Sequence, residues 1–254
     1  MSQTAYRPII PQLSSTNLDF PDLENAQRER DGLVAIGGDL QPARILAAYR
    51  QGIFPWYGSD EPIMWWSFAQ RMVLFPDELK ISRSLAKNLR NKSYAVTMNY
   101  AFRQVLSNCA QTPRPGQNGT WLVPEMQYAY RALYEMQHAC SFECWYQHAD
   151  GLPYLAGGLY GVLIGRVFYG ESMFAHAADA SKIAFVHAVR YFQQQGVPMM
   201  IVRCIPAICP ALADAKFRLP IFRLVCVNII PNLCHSRLKP RLLAGNGVVP
   251  LPIT

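Results

Sequence analysis

Residues 141–169 read SFECWYQHADGLPYLAGGLYGVLIGRVFY, and this stretch decides the fold. Ser141 to Gln147 alternates as a strand with one buried face, and Asp150-Gly151 is a turn pair. Leu155 to Ile164 and Val167 to Tyr169 are two more strands around the turn residue Gly165. Strands joined by such short turns pair with their neighbours, so the segment predicts an antiparallel meander.

Outward from the meander the pattern becomes helical. Pro124 opens a helix to about His138 with Met126, Tyr130 and Leu133 as its buried stripe, and Asn99 precedes Phe102, Val105, Leu106 and Cys109 at helical spacing. Gln111 to Thr120 between them is a loop. Further back, Ser82 caps a short helix on which Arg83, Lys87 and Arg90 share one face, with Lys80 and Lys92 at its ends. On the other side, Asp179 caps a helix over Ala180 to Gln195, with Ile183, Val186 and Arg190 along one side and Gly196 as its stop. Pro198 to Val202 begins another strand. This order predicts an α+β domain over residues 81–202.

Residues 1–80 are rich in Pro, Gly and Trp and form a separate small domain on this reading. Their one clear helix runs from about 41 to 51, with Pro42 in its first turn, Ile45, Leu46 and Tyr49 on one face, and Gly52 at its end. Ile53 to Ser67 carries Trp56, Tyr57, Trp65 and Trp66 among prolines. Two readings stay open: an irregular domain packed by its own aromatics, or rings that line a cleft.

The chain has 254 residues, 51% hydrophobic and 16% charged, which excludes disorder and allows a sizeable core. No apolar run approaches the roughly 18 residues that span a bilayer. Met1 to Arg7 shows neither an apolar stretch nor a cleavage-site pattern, so a soluble cytoplasmic protein is expected. Seven cysteines, Cys140 and Cys144 being the closest pair, match no zinc or disulfide spacing. The net charge of +7 is concentrated: residues 203–254 hold seven basic residues and one acid, which leaves 17 basic against 16 acidic before them. Whole-chain charge is therefore weak evidence for a nucleic-acid partner.

No phosphate loop, nucleophile elbow, His-Glu-x-x-His or dinucleotide fingerprint is present, and the five histidines lack ligand spacing. The stripe of Arg83, Lys87 and Arg90 is either a solvated face or a track for a phosphate backbone. Glu171, within Phe168-Tyr169-Gly170-Glu171-Ser172-Met173-Phe174, stands among apolar residues at the end of a buried strand, where an acid is costly without a partner. It either pairs with Arg166 or a helix amide, or stands at the mouth of an apolar pocket beside Phe168, Met173 and Phe185.

Several segments together carry a family resemblance. They are Gly32 to Leu40, Ala48 to Trp56, Trp65-Trp66-Ser67, Ile81 to Ser84, Val96 to Phe102, Gly119-Thr120-Trp121 and Phe168 to Phe174. In order and spacing they resemble the leucyl/phenylalanyl-tRNA–protein transferases over residues 20–201. The resemblance implies a small N-terminal domain and a domain like the acyl-CoA N-acyltransferases with a mainly antiparallel sheet. It implies transfer of Leu or Phe, and less well Met, from tRNA to the α-amine of proteins beginning with Arg or Lys, as a degradation signal. It further implies a monomer that needs no metal, cofactor or membrane. Carried over, Trp56 and Trp121 would stack on the terminal adenosine, and Leu159, Phe168, Met173 and Phe185, with Phe192, would line the side-chain pocket. Glu171 would hydrogen-bond near the reacting amine, and Arg83, Lys87 and Arg90 become candidates for tRNA phosphates. An aminoacyl ester is already activated, so alignment, proton acceptance and exclusion of water suffice. Two rival readings are a tRNA-binding module without catalysis and an acyl-CoA-dependent N-acetyltransferase. The second requires a glycine-rich loop opening a helix, whereas Gly157-Gly158 sits in a strand pattern.

After Ile201 the sequence departs from the family pattern. An Asp-Cys-Gln is expected there, its Asp and Gln acting on the attacking amine, and Val202-Arg203-Cys204 stands in its place. Residues 203–254 carry seven of the 19 prolines and four of the seven cysteines, a break that suggests a change of reading frame. Losing one copy of a tandem GAUU from AUU GAU UGU CAG GUG UAU UCC reproduces Ile201 to Ile205, and codons allowed for Ala215 to Phe222 can be read in the displaced frame as a family-like Glu-Ile-Pro segment. A tail of this origin would leave one side of the sheet and apolar helix faces uncovered.

Overall fold

The computed structural model describes residues 9–68, 70–113, 119–202, 216–218 and 239–246. Met1 to Arg7, Arg203, Cys204 and, apart from Lys216 to Arg218, the segment Ala215 to Phe222 lie outside the described residues.

The aromatic-rich start is built on a sheet. Its elements are β1 (Gln12–Leu13), α1 (Leu23–Glu29), β2 (Leu33–Gly37), α2 (Pro42–Arg50), β3 (Phe54–Pro55) and β4 (Met64–Trp66), with strand order β1-β2-β4-β3. The β1 and β2 strands run parallel, and β4 is antiparallel to both β2 and β3. The expected helix at 41–51 is α2, but α1 and the four strands escape the sequence reading because each is too short to show a period. Pro42 sits in the first turn of α2, where its missing N–H costs nothing, and Gly52 follows the helix at φ +75°. Arg44 is fully buried, donating to Asp39 at 3.0 Å and to the carbonyls of Ser14 and Asn17 at 2.8 Å each. Burial raises the Asp39 carboxyl, but Arg44 and the Gln41 amide outweigh it and leave the group below its ordinary value.

The second sheet has eight strands. In chain order come β5 (Gln70–Leu74), α3 (Arg83–Asn91), β6 (Tyr94–Met98), α4 (Phe102–Gln111), α5 (Pro124–Glu135), β7 (Ala139–Gln147), β8 (Pro153–Ile164), β9 (Val167–Ala175), α6 (Ala180–Gln194), β10 (Met199–Val202), β11 (Lys216–Arg218) and β12 (Arg241–Asn246). The strand order is β11-β5-β10-β9-β8-β7-β6-β12. Only β9 and β10 pair in parallel, so the fold is α+β with a mainly antiparallel sheet. Strand β5 lies before residue 80, so this sheet takes one strand from the first eighty residues. The two described pieces of the tail pair at opposite margins, β11 on β5 and β12 on β6.

The helix caps differ from expectation at one point. Ser82 caps α3 through the Leu85 amide at 3.3 Å, as read. Asp179 makes no side-chain bond to the amides of α6, because its carboxylate accepts from Asn88 and Lys182 instead.

Both faces of the large sheet are covered. Helices α4 and α5 bury Phe102, Val105, Leu106, Met126, Tyr130 and Leu133 in one cluster with Tyr160, Val162, Val167 and Tyr169. Helix α6 buries Ile183, Phe185, Val189 and Phe192 in the other, with Phe142, Leu159 and Phe168. A bulge interrupts the β8–β9 register: Tyr160 faces Ser172 and Gly161 faces Gly170, which leaves Glu171 as the extra residue. Strict alternation would put Met173 on the side of Tyr169, and the bulge returns it to the side of Phe168. Among the described residues, no helix is long and apolar enough to cross a membrane.

Candidate functional site

The structure brings Trp56 and Trp121 together. Both line a cleft of about 400 Å³ between the segment Trp56 to Trp66 and Gly119 to Trp121, with Tyr57, Glu61 and Met64. Trp56 follows β3 and is 37% exposed, so its ring face is available to a ligand. Trp66 fixes it, donating Nε1–H to the Trp56 carbonyl at 2.7 Å and meeting its ring edge-on at 5.9 Å. Of the two open readings for the aromatic segment, the cleft holds for Trp56 and Trp66, while Trp65 is fully buried in the core. The Tyr57 phenol is pushed up to about 12 by burial and then by Glu125, so it remains a neutral hydroxyl at the cleft wall.

Behind Trp121 lies the acid singled out in the sequence. The Trp121 ring meets the Tyr130 ring at 6.4 Å, edge to face. Tyr130 donates its hydroxyl to Glu171 Oε2 at 3.1 Å, and Tyr49 donates to Oε1 at 2.6 Å. Glu171 is 4% exposed, so these two phenols replace much of the water that a carboxylate would otherwise hold. Its expected partner Arg166 is engaged elsewhere, donating to the Gly196 carbonyl. Sequence reading treats Tyr49 and Tyr130 only as stripe residues of their helices, because periodicity reports burial and not what a hydroxyl reaches.

The apolar candidates form a second group. Leu159, Phe168, Phe185 and Phe192 are buried in the α6 cluster, Phe168 and Phe192 with ring centroids 4.4 Å apart, and half-buried Met173 packs beside them. Glu171, extra in the bulge, neighbours Tyr49 and Tyr130 on the α5 side, so it and this group lie on opposite faces of the sheet. Arg83, Lys87 and Arg90 are exposed on α3, whose Leu89 packs into the α6 cluster. The stripe therefore belongs to the same side as the apolar group, away from Trp121.

One buried acid escapes the sequence reading. Glu143 on β7 is fully buried and accepts from Thr97 Oγ1 at 2.6 Å, from Ser141 Oγ, and from the amides of Tyr100 and Ala101 at 3.4 Å each, at the start of α4. Burial raises its carboxyl above the ordinary value despite these bonds. The signal was present, since an acid among Phe142, Cys144 and Trp145 is as anomalous as Glu171. Among the described residues, no three His, Cys, Asp or Glu side chains cluster so as to hold a metal ion.

Comparison with known proteins finds matches over most of the chain before residue 207. The family model for leucyl/phenylalanyl-tRNA protein transferase matches residues 73–207, and the model for its N-terminal domain matches residues 38–67. The leucyl/phenylalanyl-tRNA–protein transferase of Chromobacterium violaceum is 58% identical over 181 residues, 71% of this chain and 75% of the relative. Those of Neisseria meningitidis serogroup B and Pseudomonas aeruginosa are 52% and 50% identical, covering 75% and 74% of this chain and 79% and 80% of the relatives. These matches place the chain in the leucyl/phenylalanyl-tRNA protein transferase family.

Proposed function

We propose that this protein moves Leu or Phe, and less well Met, from aminoacyl-tRNA to the α-amine of proteins that begin with Arg or Lys, marking them for degradation in the cytoplasm. The observation that carries the reading is the meeting of Trp56 and Trp121, 65 positions apart, in one cleft backed by Tyr130 and Glu171. Two indoles facing one space suit a flat nucleobase, and stacking is indifferent to the rest of the RNA. The terminal adenosine is held there, the side chain of the donor amino acid reaches Leu159, Phe168, Met173 and Phe185, which lie on the other face of the sheet from Glu171 beside the β8–β9 bulge, and Arg83, Lys87 and Arg90 meet the tRNA phosphates on that side.

The reaction needs no covalent intermediate. The amine nitrogen attacks the ester carbonyl, the C–N bond forms as the C–O bond to ribose breaks, and the amine's proton passes to the departing ribose oxygen. Glu171, fixed by two phenols, accepts a hydrogen bond near that amine and sets its approach. The kinship with acyl-CoA N-acyltransferases and a monomeric state belong to the same proposal, as does the division into residues 1–80, 81–202 and an atypical tail from 203, with β5 of the first part lending its strand to the sheet of the second.

Transfer of labelled Phe from Phe-tRNA to a peptide beginning with Arg tests the reading, with a peptide beginning with Ser as the control acceptor. Transfer to the first peptide and not the second supports it. The presence of Val202, Arg203 and Cys204 where the family pattern has Asp-Cys-Gln favours one second reading, a tRNA binder that does not catalyse. Tight binding of Phe-tRNA without transfer, restored in a chain carrying the family's reading frame after Ile201, would establish that second reading.

A further inference from the structure

The basic stripe of α3 is fixed to the rest of the protein by its opposite side. At 100° per residue, Arg83, Lys87 and Arg90 fall within one narrow sector, while Leu85, Asn88, Leu89 and Lys92 point the other way. Leu89 and Leu85 pack into the α6 cluster. Asn88 donates Nδ2–H to Asp179 Oδ2 at 2.6 Å, and Lys92 donates Nζ–H to the Ala178 carbonyl at 2.9 Å while lying 4.4 Å from the Tyr146 ring centre. Tyr146 donates to the same Ala178 carbonyl at 3.0 Å, and Lys182 donates to the second oxygen of Asp179 at 3.0 Å.

Ala178 and Asp179 lie in the link His176 to Asp179 between β9 and α6. Asp179 is held at φ +63°, a backbone that an aspartate adopts at a cost and that its hydrogen bonds with Asn88 and Lys182 sustain. The link is pinned to β8 as well, through the His176 and Ala177 amides on the Ala156 carbonyl at 2.7 and 3.2 Å. Lys92 is thereby committed to the fold and belongs with the latch, although it is as basic as the stripe. The strand that enters the link carries Phe168, Glu171 and Met173, and the helix that leaves it carries Phe185.

We propose that Asn88, Lys92 and Asp179 form a latch that holds the phosphate-binding face of α3 in fixed register with β9, so that grip on the body of the RNA donor and placement of its aminoacyl end act as one unit. Asn88 and Asp179 are positioning residues: they touch neither the donor nor the acceptor. The inference rests on the proposed function for what the stripe binds, and on coordinates alone for the latch.

A charge swap tests it. N88D sets two carboxylates against each other at the latch, and N88D with D179N restores one donor and one acceptor with the original net charge. Three measurements are made on the full chain at one salt concentration: affinity for uncharged tRNA, KM and kcat with Phe-tRNA, and kcat/KM with 3′-phenylalanyl-adenosine, which has no RNA body. The expected result is that N88D weakens tRNA binding and raises KM for Phe-tRNA about tenfold, leaves use of phenylalanyl-adenosine within about twofold, and is largely reversed by the swap. Equal losses with both donors, no loss with either, or a swap that fails to recover would overturn the latch. If the parent chain transfers from neither donor, the transferase reading fails, and tRNA affinity alone decides: loss in N88D with recovery in the swap upholds the latch, and any other pattern rejects it.

Discussion

The hydroxyl of Tyr49 on α2 donates to Glu171 Oε1 on β9 at 2.6 Å, joining the small sheet's helix to the centre of the large sheet. Both residues are buried, so removing the donor leaves a carboxylate oxygen without one of its partners. Tyr49→Phe is expected to cost about 1–3 kcal/mol in urea unfolding. In a Glu171→Gln background the same substitution should cost less by about 0.5 kcal/mol or more. Strictly additive losses would show that the bond carries no coupling.

The cleft tryptophans are expected to act differently when changed. Trp56→Ala should weaken binding of an adenosine-ended oligonucleotide by about 1–3 kcal/mol, with little effect on stability because the ring is partly exposed. Trp121→Ala, at 5% exposure and packed on Tyr130, should lose binding and stability together. Trp56→Phe, which keeps a π-face, should recover part of the loss. Calorimetry with the oligonucleotide, paired with thermal unfolding, separates the two effects.

Charge on α3 has a salt signature. Replacing Arg83, Lys87 or Arg90 by Ala should each lower tRNA affinity and flatten the plot of log affinity against log salt by about one unit or slightly less. Lys92→Ala should behave otherwise, because its ammonium is held by the Ala178 carbonyl and the Tyr146 ring. A slope unchanged in all three stripe variants would remove α3 from the RNA path.

Stability should depend on pH through Glu143. Its carboxyl lies above the ordinary value because of burial, so the folded state holds the proton more tightly than the unfolded one. Stability from this group is therefore greatest below the ordinary carboxylate range and declines as pH rises toward the raised folded value. Glu143→Gln should remove that decline, so that urea midpoints of variant and parent move apart as pH rises above the ordinary carboxylate range, in the variant's favour. Parallel curves would show that folding does not raise the Glu143 carboxyl.

Gly161 of β8 faces Gly170 of β9 beside the bulge. A methyl group there would overlap the Tyr169 carbonyl and the Phe168 ring, and backbone cannot give way as a flexible side chain does. Gly161→Ala is expected to cost about 2–4 kcal/mol and to disturb the neighbouring bulge, read by unfolding and by the tyrosine and tryptophan near-UV signal.

Much of the large sheet was legible. The meander, α4, α5 and α6 announce themselves by clean periods and by Pro and Gly at their ends, and Ser82 gives the start of α3. Strand β6 did not, because Tyr94 to Met98 is buried on both faces and lacks alternation. The site was legible as residue types and not as an arrangement. Trp56, Trp121 and Glu171 could be picked out singly, but the bulge that turns Met173 away from the Glu171 side and toward Phe168 leaves no mark on composition or period. The residue type of Asp179 suits a cap, while its carboxylate goes to Lys182 on its own helix and to Asn88, a partner that depends on where α3 docks.

Strand β12 pairs with β6, although well over a hundred positions separate Arg241 from Met98, and it comes from the segment beyond residue 207 where the family match ends. During synthesis β6 must therefore wait, its outer edge unpaired, until Arg241 to Asn246 have left the ribosome. The order of emergence leaves this sheet margin open to other nascent chains long after β7 and β8 have paired.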